Sequence, residues 1–307
     1  MLLSTMIEGF WLARRRDMSD YTYTDYNLTY SRITEYLKDP DVGTVVPGDI
    51  HKFLTYLADD LGLGPKTRSN AWTALSALWT WAEQELQIPH VLRSHVPRPR
   101  YHTERPTPFD ESEIRLILGA VDKTQAWSSR RGKYVKAHRP TALRDRAIIL
   151  TLLDTGLRVS ELVDLIVADY DERVGMLNIR KGKGRKPRAV YVGQAARQAI
   201  WRYLKSRDVH SSKAPIFASK QGQQLDRIAV LRMVKRAGQR AGVDNVHPHR
   251  FRHTFAITFL RNGGTPLELQ RLLGHEKLET VLVYVELAQT DLQDAQRRAS
   301  PADNWKL

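Results

Sequence analysis

Residues 89–108 read PHVLRSHVPRPRYHTERPTP. Five prolines fall in this stretch, and it has no apolar period. Proline lacks a backbone N–H and fixes φ, so neither a helix interior nor a central strand can run through it. The chain must be interrupted here, and 307 residues suffice for a folded unit on either side. The expected division is a helical unit over 1–98, a linker over 99–106 and a larger unit over 107–307.

Charge divides at nearly the same place. Residues 1–100 carry 11 Lys and Arg against 12 Asp and Glu, and the rest of the chain carries 37 against 22. The net charge of +14 therefore belongs to the second unit. Such a balance favours a polyanionic partner, nucleic acid first, over a merely basic surface. The arginines of the linker suit a strap across DNA. With no cysteine, the chain has no disulfide, thiolate zinc site or cysteine nucleophile. No apolar run reaches a membrane span, and in MLLSTMIEGFWLARRRD the arginines follow the apolar part, unlike a signal peptide. A cytoplasmic protein with no membrane partner is the expectation.

The first unit has helical spacing in four stretches: 2–16, 24–39 with Thr24 as N-cap, 46–62 starting near Pro47, and 64–88. Trp72, Leu75, Leu78, Trp79 and Trp81 on the last are core candidates. In the second unit Asp110 and Glu113 open a helix as a capping box, and 122–142 reads as a long basic loop. Helices at 143–156 and 158–166 follow. Then the period becomes that of strands: GMLNIRKGKGRKPRAVYVG (175–193) reads as a β-hairpin with Lys183 in its turn. Leu177 and Ile179 share one face, Val190 and Val192 another. Helices return at 194–207 and 225–241, with PIFAS (215–219) between them as a possible edge strand. The fold class is mostly α, with a small β-hairpin or sheet in the second unit.

Chemistry concentrates in HPHRFRHTF (247–255). A helix starting near Pro248 puts His249, Arg252, His253 and Ala256 on one face. Phe251, Phe255, Thr258 and Phe259 fall on the other, where the phenylalanines anchor it. Three readings compete. His249 and His253 at i, i+4 suit zinc, but Arg252 between them repels a cation, and HEKLE (275–279) has Glu279 where HExxH needs histidine. A DNA patch would use flexible lysines. Arginine and histidine on an anchored helix suit one phosphate held in fixed geometry. Thr265 and Glu268 then cap a helix that ends at Gly274, before His275, and Tyr284 lies on the next one.

These residues resemble the tyrosine recombinase (phage integrase) family. HPHRFRHTFA, then LLGH, then a tyrosine nine residues after that histidine match its signature. TGLRVSEL (155–162) matches its first arginine motif and KGKGRKPRAVYVG (181–193) its hairpin lysine. The resemblance covers nearly the whole chain. It implies an N-terminal core-binding domain and an α/β catalytic domain on opposite faces of double-stranded DNA, as in simple Xer-like recombinases with no added arm-binding domain. It implies Tyr284 as nucleophile, Arg158 and Arg252 on the phosphate oxygens, and His275 as a further donor to them. His249 would be general base or positioning group, and Lys183 the acid that protonates the leaving 5′-oxygen. No cofactor is implied, neither metal nor ATP. Glu161 reads as orienting the site, His253 as a buttress of the fold, and His247 as having no catalytic part. Four protomers would act on two DNA sites, the tail 288–307 docking on a neighbour. The basic loop 122–142 exceeds the family's usual connection. Rival readings are a type IB topoisomerase, which would relax DNA without a specific site, and a catalytically silent DNA-binding regulator.

Overall fold

The computed structural model describes the chain except residues 102–104, 123–126, 129–133, 136–138, 181–186, 208, 210, 276, 289–295, 297–299, 301, 303–304 and 306–307. It forms two compact units, Met1–Glu104 and Arg105–Leu307. The first holds helices α1 (Leu3–Arg14), α2 (Asp20–Leu37), α3 (Pro47–Asp59) and α4 (Pro65–Leu86). Helix α4 packs against the other three. Its Leu75, Leu78 and Trp79 are fully buried with Phe10, Tyr30 and Phe53. Tyr30 donates its hydroxyl to Ala74 O at 2.9 Å, so this ring's polar atom is satisfied inside the core. Helix α2 begins earlier than its apolar pattern indicates. Ser19, not Thr24, is the N-cap, accepting from Thr22 N at 2.9 Å, and Thr24 bonds back to Asp20 O inside the helix. The proline-rich stretch is folded at its start. Leu92 and Val96 are buried in this core, and the Trp72 indole donates to Val96 O at 2.8 Å.

The second unit holds α5 (Glu111–Asp122), the strand pair β1 (Trp127–Ser128) and β2 (Tyr134–Val135), α6 (Ala142–Thr155) and α7 (Val159–Val163). Next come β3 (Tyr170–Asp171), β4 (Met176–Ile179), β5 (Arg188–Tyr191), α8 (Gln194–Lys205), α9 (Arg227–Ala241), α10 (Pro248–Arg261), α11 (Pro266–Leu273) and α12 (Glu279–Ala288). The Asp110–Glu113 box forms in both directions. Within the basic loop 122–142, Trp127 pairs with Val135 and Ser128 with Tyr134 in an antiparallel ribbon.

The hairpin forms with Leu177 opposite Val190 and Met176 opposite Tyr191. Opposed residues share a face, so Leu177, Ile179, Val190 and Val192 make one buried face rather than two, each at most 4% exposed. Its turn, with Lys183, lies outside the described residues. A third strand, β3, pairs with β4. PIFAS does not join this sheet and makes two isolated bridges, Pro215 with Ile166 and Ala218 with Gln224.

In α10, Phe251 is fully buried against Phe109 as expected, but Phe255 is only half-buried and Thr258 is exposed. Ala256 and Ile257 instead join Leu260, Leu273, Val281 and Tyr284 in a small cluster. The buried stripe of α10 is thus broader than two phenylalanine turns, because α6, α11 and α12 all pack on this helix. Among the described residues, no helix is long and apolar enough to cross a membrane.

Candidate active site

The site is built where α6 and α11 end. Helix α6 stops at Gly156, whose φ of +59° glycine adopts without steric cost. A Cβ there would lie 2.6 Å from the Phe255 ring and 2.9 Å from Leu273. This close approach brings α10 under the carbonyl end of α6. Helix α11 stops the same way, at Gly274 with φ +61°. Helix C-termini carry unsatisfied carbonyls and partial negative charge, and they suit cations.

Arg252 fills that place. It is 3% exposed and donates to Gly156 O at 2.6 Å, to Leu273 O at 2.9 Å and to His275 Nε2 at 2.7 Å. Burial, then the neighbouring Arg158 charge, pulls its guanidinium down to about 9. Such a shift marks a cation kept short of counter-charge, as in a site built for an anion. Arg158 caps α7 and donates to Leu273 O at 3.4 Å, so one carbonyl holds both arginines.

Glu161 is the counter-ion. It is 4% exposed and accepts from Arg158 N at 2.9 Å, from Arg158 Nη1 at 3.2 Å, and from both terminal nitrogens of Arg188 at 2.9 and 2.8 Å. Burial pushes its carboxyl up, but the Arg188 bonds, the Arg158 N–H and the two guanidinium charges overcome this and set it at about 2. Arg188 also donates to Leu272 O at 2.8 Å, tying the hairpin's return strand to α11. The motifs of the sequence assign Arg188 no role. A signal for it exists, because alternation with Val190 and Val192 puts it on the buried face, where an arginine needs a carboxylate.

Tyr284 is 6% exposed on α12. Burial raises its phenol, while the Arg252 and Arg158 charges act to lower it. Its hydroxyl lies 2.9 Å from His253 Nδ1. His253 thus touches the tyrosine, where the sequence pattern suggests only a buttressing part. His249 is exposed one turn earlier, its ring centre 6.4 Å from that of His253. His247 is the N-cap of α10, accepting from Arg250 N at 3.2 Å. The structure therefore gathers Arg158, Arg252 and His275 in one bonded group, with Tyr284 within reach of both arginine charges. Among the described residues, no three His, Asp or Glu side chains converge on a metal position.

This arrangement can hold a phosphodiester beside a phenol. The phage integrase family model matches residues 109–291. The tyrosine recombinase XerC of Pelobacter propionicus is 39% identical over 297 residues, covering 94% of this chain and 92% of that protein. Among solved structures, XerH site-specific recombinase bound to palindromic difH substrate has a TM-score of 0.70 at 20% identity, covering 98% of this chain and 85% of that one. A lambda integrase dimer bound to a COC′ core site also has a TM-score of 0.70, at 18% identity, covering 91% and 97%. The chain belongs to the phage integrase family. It is a tyrosine recombinase, an enzyme of site-specific DNA recombination that cleaves and rejoins DNA strands.

Proposed function

We propose that Tyr284 is the nucleophile of this recombinase and that Arg158, Lys183, His249, Arg252 and His275 are its catalytic partners. The single observation that carries this reading is the Arg252 junction: one buried guanidinium bonds to the carbonyl ends of two helices and to His275, beside a buried tyrosine. The phenolic oxygen attacks the scissile phosphorus, its proton passing to His249. The bond to the 5′-oxygen breaks, and Lys183 supplies the proton that this oxygen takes. A 3′-phosphotyrosine and a free 5′-hydroxyl result, and the reverse attack by a 5′-hydroxyl rejoins the strand. Arg158, Arg252 and His275 stabilise the added charge on the non-bridging oxygens. The phosphotyrosine conserves the phosphodiester energy, so rejoining needs no nucleotide.

The substrate is double-stranded DNA, gripped by the helical unit 1–98 and the catalytic unit 107–307, and the work is done in the cytoplasm by four protomers on two sites. The tail 288–307 docks on a neighbouring protomer. Supporting this is a cavity of about 770 Å³ walled by Phe109, Ile114, Leu153, Phe255 and Phe259 and edged by Asp110, Glu111 and Asp154. The tail sequence offers Leu292 and Trp305 with Arg297, Arg298 and Lys306, which match it in apolarity and charge. Most of the tail lies outside the described residues.

The test uses a duplex selected by the protein from a random-sequence pool and nicked beside the cleavage position, so that the cut fragment is lost and covalent protein accumulates. Wild type forms an adduct and Tyr284→Phe forms none. Adduct formation by the variant, or none by wild type, overturns the assignment. Relaxation of supercoiled plasmid lacking the selected site would favour the topoisomerase reading.

A further inference from the structure

We infer that His253 is a positioning residue for the nucleophile, its Nδ1 accepting a hydrogen bond from the Tyr284 hydroxyl and so aiming the phenolic oxygen. The inference rests on Tyr284 being that nucleophile. The two side chains come from helices that pack on each other, and the contact is braced by them. His253 stands on α10 next to Arg252, and Tyr284 stands on α12. Ala256, Ile257 and Leu260 of α10 interlock with Val281, Tyr284 and Ala288 of α12 in one buried cluster. The Nδ1 to hydroxyl distance is 2.9 Å, and the rings meet at 45° with centres 5.7 Å apart.

A phenol that donates its only hydrogen to an imidazole keeps its oxygen lone pairs for the phosphorus. The hydroxyl otherwise rotates, and each wrong rotamer turns the hydrogen toward the electrophile. His253 can hold the acceptor role because it stays neutral. Burial, then the charges of His249, His247 and Arg252, hold it down to about 4. Among the described residues, those three groups and Tyr284 are the titratable and charged groups that act on it. The same value bars it from the base role. A histidine held that low does not keep a proton taken from a phenol that burial raises. His253 therefore orients the hydroxyl, and the proton leaves to another acceptor, which in the proposed mechanism is His249.

The experiment compares wild type, His253→Ala, His253→Phe, His253→Asn and Lys183→Ala on the nicked duplex. Asparagine returns an amide oxygen to the neighbourhood of Nδ1, whereas phenylalanine keeps the ring and removes the nitrogens. His253→Phe and His253→Ala should slow single-turnover adduct formation about 100-fold, the scale for a misplaced reacting group. DNA affinity and melting temperature should stay near those of wild type, and His253→Asn should recover most of the rate. A substrate with sulfur at the leaving 5′ position needs no proton on departure. It should rescue Lys183→Ala and leave His253→Ala slow. Wild-type rates in both His253→Phe and His253→Ala would overturn the inference. So would rescue of His253→Ala by the sulfur substrate, or a folded His253→Asn as slow as the phenylalanine variant. Adduct formation by Tyr284→Phe would instead overturn the nucleophile itself, whatever the histidine variants do.

Discussion

Replacing Glu161 with glutamine should unfold the second unit more easily by an amount that depends on pH in a defined way. The carboxylate sits between Arg158 and Arg188, whose side chains are 25% and 11% exposed, and its own side chain is 3% exposed. Glutamine keeps the shape and one acceptor oxygen but removes the charge. Breaking a buried pair by neutralising one partner costs about 3–5 kcal/mol, because the other charge is left uncompensated. Partial hydration of Arg158 puts this case at the lower end. The carboxyl gives an independent figure. It falls from 4.5 to about 2 on folding, which corresponds to about 3 kcal/mol at about 1.4 kcal/mol per pH unit. A carboxyl lowered by folding stabilises fully above its unfolded value and loses that contribution as pH falls through the folded one. Wild type should therefore lose about 3 kcal/mol more than Glu161→Gln between pH 5 and pH 2. Urea unfolding followed by circular dichroism across that range measures both curves. Equal stability at pH 7, or parallel curves down to pH 2, would refute the counter-ion account.

Two other outcomes follow from the same site. Gly156→Ala combines a positive φ with a Cβ 2.6 Å from the Phe255 ring, so it should cost about 2–4 kcal/mol. It should also slow cleavage, because Gly156 O anchors Arg252; urea titration and the adduct assay read the two effects separately. Sulfate or inorganic phosphate should raise the melting temperature of wild type in a saturable way. An anion supplies the counter-charge that Arg252, pulled down to about 9, lacks, and Arg252→Ala should abolish the increment.

Elements with a strong period are legible in the amino-acid sequence, and pairings between distant elements are not. The hairpin 175–193 announces itself by alternation, and the start of α10 by Pro248. Strand β3 has two residues, too few to carry a period, and it exists because β4 offers it an edge. The cap of α2 falls at Ser19 rather than Thr24 although both are good caps; the added turn carries Tyr23, whose ring centre lies 4.6 Å from that of Trp11 of α1, a contact between distant positions that no local pattern announces. In the site, motif order places the arginines, histidines and tyrosine. The bonds from Arg188 to Glu161 and from His253 to Tyr284 cross 27 and 31 residues of chain. Neither follows from spacing, since each depends on how one helix or strand end is set against another.

The groups that anchor Arg252 and Arg158, Gly156 O and Leu273 O, belong to the main chain. A carbonyl is present whatever side chain its residue bears. Side chains along α6 and α11 can therefore drift a long way without altering the chemistry that fixes the arginines. What must persist is the residue at which each helix stops, set by Gly156 and Gly274 with their positive φ. Under the proposed function, two helix stops would carry the anchorage of the arginines from one chain to the next, leaving the surrounding surface at liberty to change its DNA target.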